Sequence, residues 1–186
     1  MTFFEKSLLF LFLIAGGIQL FYYTFFYFKF VFHNNKKKKI TTSLPPVSVI
    51  ICAKNEHDNL ERKLSSFLEQ DYPDYEVIVV DDNSDDGTEN LLKEFAHYNK
   101  HFKYVLISGF NNKLGKKYPL SIGIKSAKNE ILLLSDADCV PVSNQWIKEM
   151  VRNYVDGIDI VLGYGAYKKE KTLINKFVRF DTFFIA

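Results

Sequence analysis

The sequence predicts an α/β fold, a mostly parallel sheet with helices on both faces, preceded by one membrane-spanning helix. Three observations carry this. From Val47 onward, short β-branched apolar runs alternate with stretches of helical periodicity, the pattern of strands covered on both faces and joined by crossover helices. Polar clusters leave the C-terminal ends of three such runs, at Asn55-Glu56, Asp81-Asp82 and Asp136-Asp138, the edge at which open parallel sheets bind ligands. Ahead of them stands a run of about 22 uncharged residues, Ser7 to Phe28, enough for a helix of about 33 Å across a hydrocarbon core of ~30 Å.

The chain has 186 residues, 47% hydrophobic, 16% aromatic and 25% charged, which supports a packed core and excludes a disordered chain. A formal net charge of +2 gives no general attraction to nucleic acid, and none is expected as a partner. Cys52 and Cys139 lack metal-ligand spacing and read as reduced, core-packed thiols.

A cleaved signal peptide would have a shorter apolar region, a basic segment in front and small residues at the cleavage point. Here Glu5 and Lys6 cancel, and Phe21-Tyr22-Tyr23 and Phe25-Phe26-Tyr27-Phe28 occupy that point. Such aromatics suit the membrane interface, and Lys29 with Lys36-Lys37-Lys38-Lys39 marks a cytoplasmic flank. The expectation is a single-pass membrane anchor with its N-terminus outside and the rest of the chain in the cytosol. The lysine run is a solvated linker that, beside a membrane, also meets anionic headgroups. Residues 1–35 form the anchor and basic flank, 36–46 a linker stiffened by Pro45-Pro46, and 47–186 the soluble domain.

Within that domain, Val47 to Ala53 reads as the first strand, followed by a helix with Leu60, Leu64, Phe67 and Leu68 on one face. Glu76 to Asp81 is the second strand, and the polar turn Asp82 to Thr88 leads into a helix carrying Leu91, Leu92 and Phe95. Tyr104 to Ile107 is a weaker third strand. Gly109 to Lys117 is a basic loop, and Leu120, Ile122, Ile124 and Ala127 mark a helix ending around Asn129. Ile131-Leu132-Leu133-Leu134 forms the fourth strand and delivers Asp136 and Asp138 to its end. A helix around Asn144 to Tyr154, an apolar run at Ile158 to Gly163 and a helical stretch at Leu173 to Phe184 complete the chain.

Two carboxylates one residue apart invite a hard divalent cation, Mg2+ or Mn2+, which takes oxygen ligands and leaves positions for water and substrate phosphates. Taken alone, Asp136 and Asp138 suit a turn equally well. Asp82 stands at a matching strand end, whereas Asp85 and Asp86 are better placed as caps of the second helix. Glu56 is also a favourable first-turn acid, and Lys116 and Lys117 are either solvated or set against a diphosphate.

Several motifs together resemble family 2 glycosyltransferases, nucleotide-sugar enzymes of the GT-A fold. They are Pro46-Val47-Ser48-Val49-Ile50-Ile51 with Asn55-Glu56, then Val79-Val80-Asp81-Asp82-Asn83-Ser84 with Asp86-Gly87-Thr88, then Gly115-Lys116 with Leu120 and Gly123, then Asp136-Ala137-Asp138. The resemblance implies that Ala53, Asn55 and Glu56 line the nucleoside pocket and that Asp82 accepts a hydrogen bond from the base, most often uracil. It implies Gly115 and Lys116 beside the donor, Asp136 facing the ribose or donor sugar, and Asp138, with Asp136, at the metal bridging the diphosphate. The implied reaction moves a sugar to a hydroxyl acceptor, glycan or lipid-linked, for polysaccharide or glycolipid synthesis at the cytosolic membrane face.

The family also has a catalytic-base Asp in a later acidic motif. Glu170 and Asp181 do not match it, so the catalytic residue is unassigned and the chain is expected to be the donor-binding portion of a longer enzyme. A non-catalytic nucleotide-sugar sensor or membrane scaffold is the alternative. A phosphoacceptor signalling domain is disfavoured, because Lys54-Asn55-Glu56 stands where its acidic pair would follow the first strand.

Overall fold

The computed structural model describes residues 2–31, 44–108 and 115–185. It divides into two compact units, residues 1–39 and 40–186. The first unit contains helix α1 (Phe3–Val31), whose stretch Phe3–Phe25 is long and apolar enough to cross a membrane. Polar side chains within it bond back to their own helix: Ser7 Oγ donates to the Phe3 carbonyl at 3.0 Å and Thr24 Oγ1 to the Leu20 carbonyl at 2.7 Å. Hydroxyls satisfied in this way do not oppose transfer into lipid. The lysine run and the linker up to Ser43 lie outside the described residues.

The second unit is built on β1 (Val47–Ala53), α2 (His57–Leu68), β2 (Tyr75–Asp81), α3 (Thr88–Tyr98), β3 (Phe102–Leu106), α4 (Lys117–Ser126) and β4 (Ile131–Asp136). The four strands pair in parallel in the order β3-β2-β1-β4. The chain adds strands on one side of β1 and then returns to place β4 on the other. Such a reversal opens a crevice at the carboxyl ends of the strands on either side of it, here β1 and β4.

Alternate residues of the strands supply two cores. On one face Val47, Val49, Ile51, Val77, Val79 and Leu133 pack with Leu60, Leu64, Phe67 and Leu92 of α2 and α3. On the other, Ile50, Ile78 and Val80 pack with Leu120 and Ile122 of α4. Burial on both faces explains why the strands read as continuous apolar runs without alternation. Gly123 permits the close seating of α4, since a Cβ there would stand 2.5 Å from Ile50 Cγ2 and 3.1 Å from Val80 Cγ2.

Helix α5 (Trp146–Arg152) buries Ile147 and Val151, and α6 (Leu173–Ile185) follows a segment without regular structure. The helix predicted from Asn144 to Tyr154 is therefore shorter at both ends. The apolar run at Ile158 to Gly163 takes no strand pairing among the described residues, and Ile160 and Leu162 are exposed. Cys139 is exposed and not core-packed, because β4 ends at Asp136 and the next turn, closed by Cys139 N to the Asp136 carbonyl at 3.1 Å, carries it outward. Cys52 is half-buried, and both thiols are free.

The opposite edge of the sheet carries a structural acid. Glu76 is buried at the start of β2 and accepts from Ser48 Oγ at 2.5 Å and Lys128 N at 2.8 Å, and pairs with Lys103 Nζ at 2.7 Å. Desolvation pushes the carboxyl up, but the Lys103, Ser48 and Lys128 hydrogen bonds outweigh it and hold its pKa below the ordinary value. Between the two values the unfolded chain binds more protons, so stability rises with pH there. Glu76→Gln is expected to cost about 2 kcal/mol at neutral pH. The difference from wild type should shrink as pH falls through the folded-state value, read as urea midpoints at about pH 7 and about pH 3.

Candidate functional site

Strand register brings the predicted residues to one edge. Ala53 lies opposite Asp81 on β2, and Cys52 lies opposite Asp136 on β4. The β1–β2 pairing continues one step further, with Asp82 N donating to the Ala53 carbonyl at 2.9 Å. Asp81 and Asp82 are consecutive in an extended chain and so turn to opposite faces.

Asp81 faces the loop. It is buried and accepts from Ser84 N at 3.2 Å and from Ser84 Oγ. Burial raises its pKa, against those hydrogen bonds and with the charges of Asp86 and Glu89. Asp82 lies instead on the side of Cys52 and Lys116, and pairs with Lys54 Nζ at 3.7 Å. Burial pushes the Cys52 thiol above its ordinary value, Lys116 pulls it down, and Asp136 and Asp82 push it up. Cys52 thus sits among the three charged groups that the sequence singles out.

Lys116 pairs with Asp136, both about half exposed. Desolvation lowers the lysine pKa, but the hydrogen bond and charge of Asp136, with Cys52 and Asp138, outweigh it and hold the ammonium above its ordinary value. Lys116 follows Gly115, whose φ of +57° favours glycine and places the start of α4 beside the acidic edge. Gly109 to Leu114 of the predicted loop, Lys113 among them, lie outside the described residues. Asp138 is exposed in the turn after β4, while Ala137 between the two acids is buried in the core.

The two loops following β1 and β2 brace each other. Asn55 takes a left-handed φ of 55°, which Asn tolerates better than most residues. Its backbone N donates to Ser84 Oγ at 2.8 Å, and its Oδ1 accepts from Asp85 N at 3.0 Å. The Asn55 side chain is therefore turned toward the second loop. Asp86 accepts from His57 N at 2.9 Å, Thr88 N at 3.1 Å and Thr88 Oγ1 at 2.6 Å. The helix α3 N-cap is Gly87, with φ 90°, and Asp86 acts one residue earlier than a capping side chain would. Glu56 is the N-cap of α2, and its carboxylate accepts from Asn59 Nδ2 at 2.6 Å.

Lys54, Ser84 and Lys63 are contributors that sequence reasoning passed over. Lys63 Nζ donates to the Asp138 carbonyl at 2.7 Å. Its spacing from Asn59 is visible in the sequence, but its reach to a residue of the β4 turn is not.

Chemically, the edge offers only oxygen donors at Asp136 and Asp138, which fit a hard cation such as Mg2+ or Mn2+. Lys116 supplies a positive group for a phosphate. A separate set, His57, Asp58 and Glu61, brings its donor atoms within 4.8 Å of one another at the start of α2.

A parallel sheet with its reversal at an acidic edge is the architecture of α/β domains that take ligands at their strand ends. Residues 48–183 match the family described as glycosyl transferase family 2. The chain belongs to that family, and its fold is GT-A. It is 35% identical over 124 residues to the glycosyltransferase AglE of Haloferax volcanii, covering 65% of this chain and 40% of that protein. It is 35% identical over 94 residues to a poly-beta-1,6-N-acetyl-D-glucosamine synthase of Staphylococcus epidermidis, covering 50% of this chain and 22% of that protein. Among solved structures, a mannosyltransferase of Pyrobaculum calidifontis in complex with GDP-Man and Mn2+ superposes with a TM-score of 0.57 at 30% identity, covering 65% of this chain and 37% of that one. The chain thus spans well under half the length of these relatives.

Asp86→Ala is expected to lower stability by about 1 kcal/mol, since the site is exposed and water replaces part of what is lost. It should also speed hydrogen exchange at the amides of His57 and Thr88 while leaving the Glu76 edge protected.

Proposed function

We propose that the edge formed by the ends of β1, β2 and β4 binds a nucleotide-diphosphate sugar, UDP-linked, as the donor in sugar transfer to a hydroxyl acceptor. The observation that carries this reading is the strand register that sets Asp136 against Cys52 and Asp81 against Ala53, with Asp82 N bonded to the Ala53 carbonyl and Lys116 paired with Asp136. Ala53 and Glu56 border the nucleoside, Asp82 accepts from the base, and Asn55 holds the loop that shapes the pocket. Gly115 brings Lys116 toward the diphosphate, and Asp136 faces the ribose or donor sugar. Asp138 and Asp136 would hold Mg2+ or Mn2+, which when bound acts as a Lewis acid for the charge on the departing diphosphate. The GDP-Man and Mn2+ in the Pyrobaculum mannosyltransferase support a nucleotide sugar and a divalent cation. The choice of uracil over guanine rests on the motif resemblance alone.

The acceptor is a glycan or lipid-linked hydroxyl at the cytosolic membrane face, and the product a polysaccharide or glycolipid. Helix α1 supports a membrane location, and the lysines at 36–39 support a cytosolic domain. In this reading residues 1–35 anchor the protein, 36–46 link it and 47–186 bind the donor.

Calorimetry on the detergent-solubilised chain tests the site. Wild type is expected to bind UDP only with Mn2+ present and more tightly than GDP. Asp138→Ala should abolish this Mn2+-dependent binding, and Asp82→Ala should weaken UDP about tenfold, the worth of one charged hydrogen bond. Binding indifferent to both substitutions would contradict the assignment, and a preference for GDP would replace the base while keeping the site.

A further inference from the structure

We propose that Lys63 is a positioning residue for Asp138, acting at the end of a hydrogen-bonded relay that runs along α2 from Glu56. The proposal rests on the metal-site reading above. Glu56, Asn59 and Lys63 are spaced by three and then four residues and so share one face of the helix. Asn59 Nδ2 donates to Glu56 Oε2 at 2.6 Å, Lys63 Nζ donates to Asn59 Oδ1 at 2.7 Å, and the same ammonium donates to the Asp138 carbonyl at 2.7 Å. The amide of Asn59 is oriented by both neighbours. Its acceptor oxygen meets the ammonium and its donor nitrogen meets the carboxylate, and the reverse orientation would satisfy neither.

The turn that carries Asp138 is otherwise held from within. Ala137 is 4% exposed and packs in the core that contains Leu60 and Leu64 of α2, and Cys139 N closes the turn on the Asp136 carbonyl. Lys63 grips the next peptide from outside. With Ala137 buried on one side and its own carbonyl bound on the other, Asp138 has its backbone direction set, and with it the direction in which its carboxylate leaves the turn. A lysine on an exposed helix face ordinarily pairs with an acid one turn away. This one is spent on a backbone carbonyl 75 residues distant. The relay therefore couples the acid at the end of β1 to the turn at the end of β4.

The test is titration of Mn2+ into the full chain in detergent with UDP present, comparing wild type, Lys63→Met, Lys63→Arg and Asp138→Ala. Lys63→Met keeps the side-chain length and removes the donor. It is expected to weaken Mn2+ about tenfold, the lower end of the effect of outer partners on metal ligands. Lys63→Arg, which donates to both oxygens, should restore most of the affinity. The Mn2+-induced rise in unfolding temperature should shrink in Lys63→Met more than the metal-free unfolding temperature falls; a purely structural lysine would give the reverse. Should Lys63→Met fold poorly, Asn59→Ala is expected to show a smaller loss of Mn2+ affinity, since the ammonium loses the neighbour that aims it. Wild-type Mn2+ affinity in Lys63→Met, alongside its loss in Asp138→Ala, would overturn the relay and leave the site standing. Unchanged affinity in Asp138→Ala would overturn the site and the relay together.

Discussion

The parallel pairing of β1 with β2 on one side and β4 on the other is the constraint on which the rest of the structure depends. All but one of the β1 residues are buried, with Val47, Val49 and Ile51 on one face and Ile50 on the other. Burial of each such side chain is worth about 1.5–3 kcal/mol. A slip of one residue would exchange the two faces of the strand and place Cys52 and Ala53 on the wrong layers. The same register that fills the two cores also sets Cys52 against Asp136 and Ala53 against Asp81. Packing and the assembly of the acidic edge are thus one event, and the chemistry of the edge follows from the hydrophobic pattern beneath it.

Electrostatics divides the sheet into two ends of different character. At the starting end, Glu76 is locked by Ser48, Lys103 and Lys128 N, with its charge fully answered within the fold. At the finishing end, acids outnumber what the fold needs. Asp81 is used by Ser84 and Asp86 by the neighbouring loop, while the carboxylates of Asp82 and Asp136 are met by the long side chains of Lys54 and Lys116 and Asp138 is exposed. Acids satisfied by backbone and hydroxyl groups hold loops in place. Acids answered by long, half-exposed lysines keep oxygens that a cation or a ligand can claim, because displacing an exposed ion pair costs little.

The fold was largely legible in the sequence because β1, β2 and β4 are short, mainly apolar runs ended by polar residues, and because the helices between the strands show an apolar face. The limits of legibility follow from the same physics. Phe102 and Lys103 begin β3 earlier than Tyr104, since their alternation is weak and the strand takes its order from β2. Ile158 to Gly163 is an apolar run, but among the described residues it finds no strand partner, and Ile160 and Leu162 stay exposed. Asp82 and Asp136 were legible as strand-end residues, and Lys116 as part of the loop between the third and fourth strands. Asn55 was legible as a loop residue but not as a brace to Ser84, and Lys63 was invisible as a partner of Asp138. Side-chain contacts across many residues leave no local spacing to read.

Family membership and the acidic edge converge on one physical claim, that a divalent cation and a nucleoside diphosphate meet at the ends of β1, β2 and β4. Paramagnetic broadening by Mn2+ tests it most directly, on the isotope-labelled full chain in detergent with UDP present. The amides of Ala53 to Glu56, Asp82, Lys116 and Asp136 to Cys139 are expected to broaden first, while those of Ser48, Glu76 and Lys128 at the opposite end of the sheet stay sharp. Broadening centred on that opposite end, or none at Asp136 to Cys139, would contradict the account.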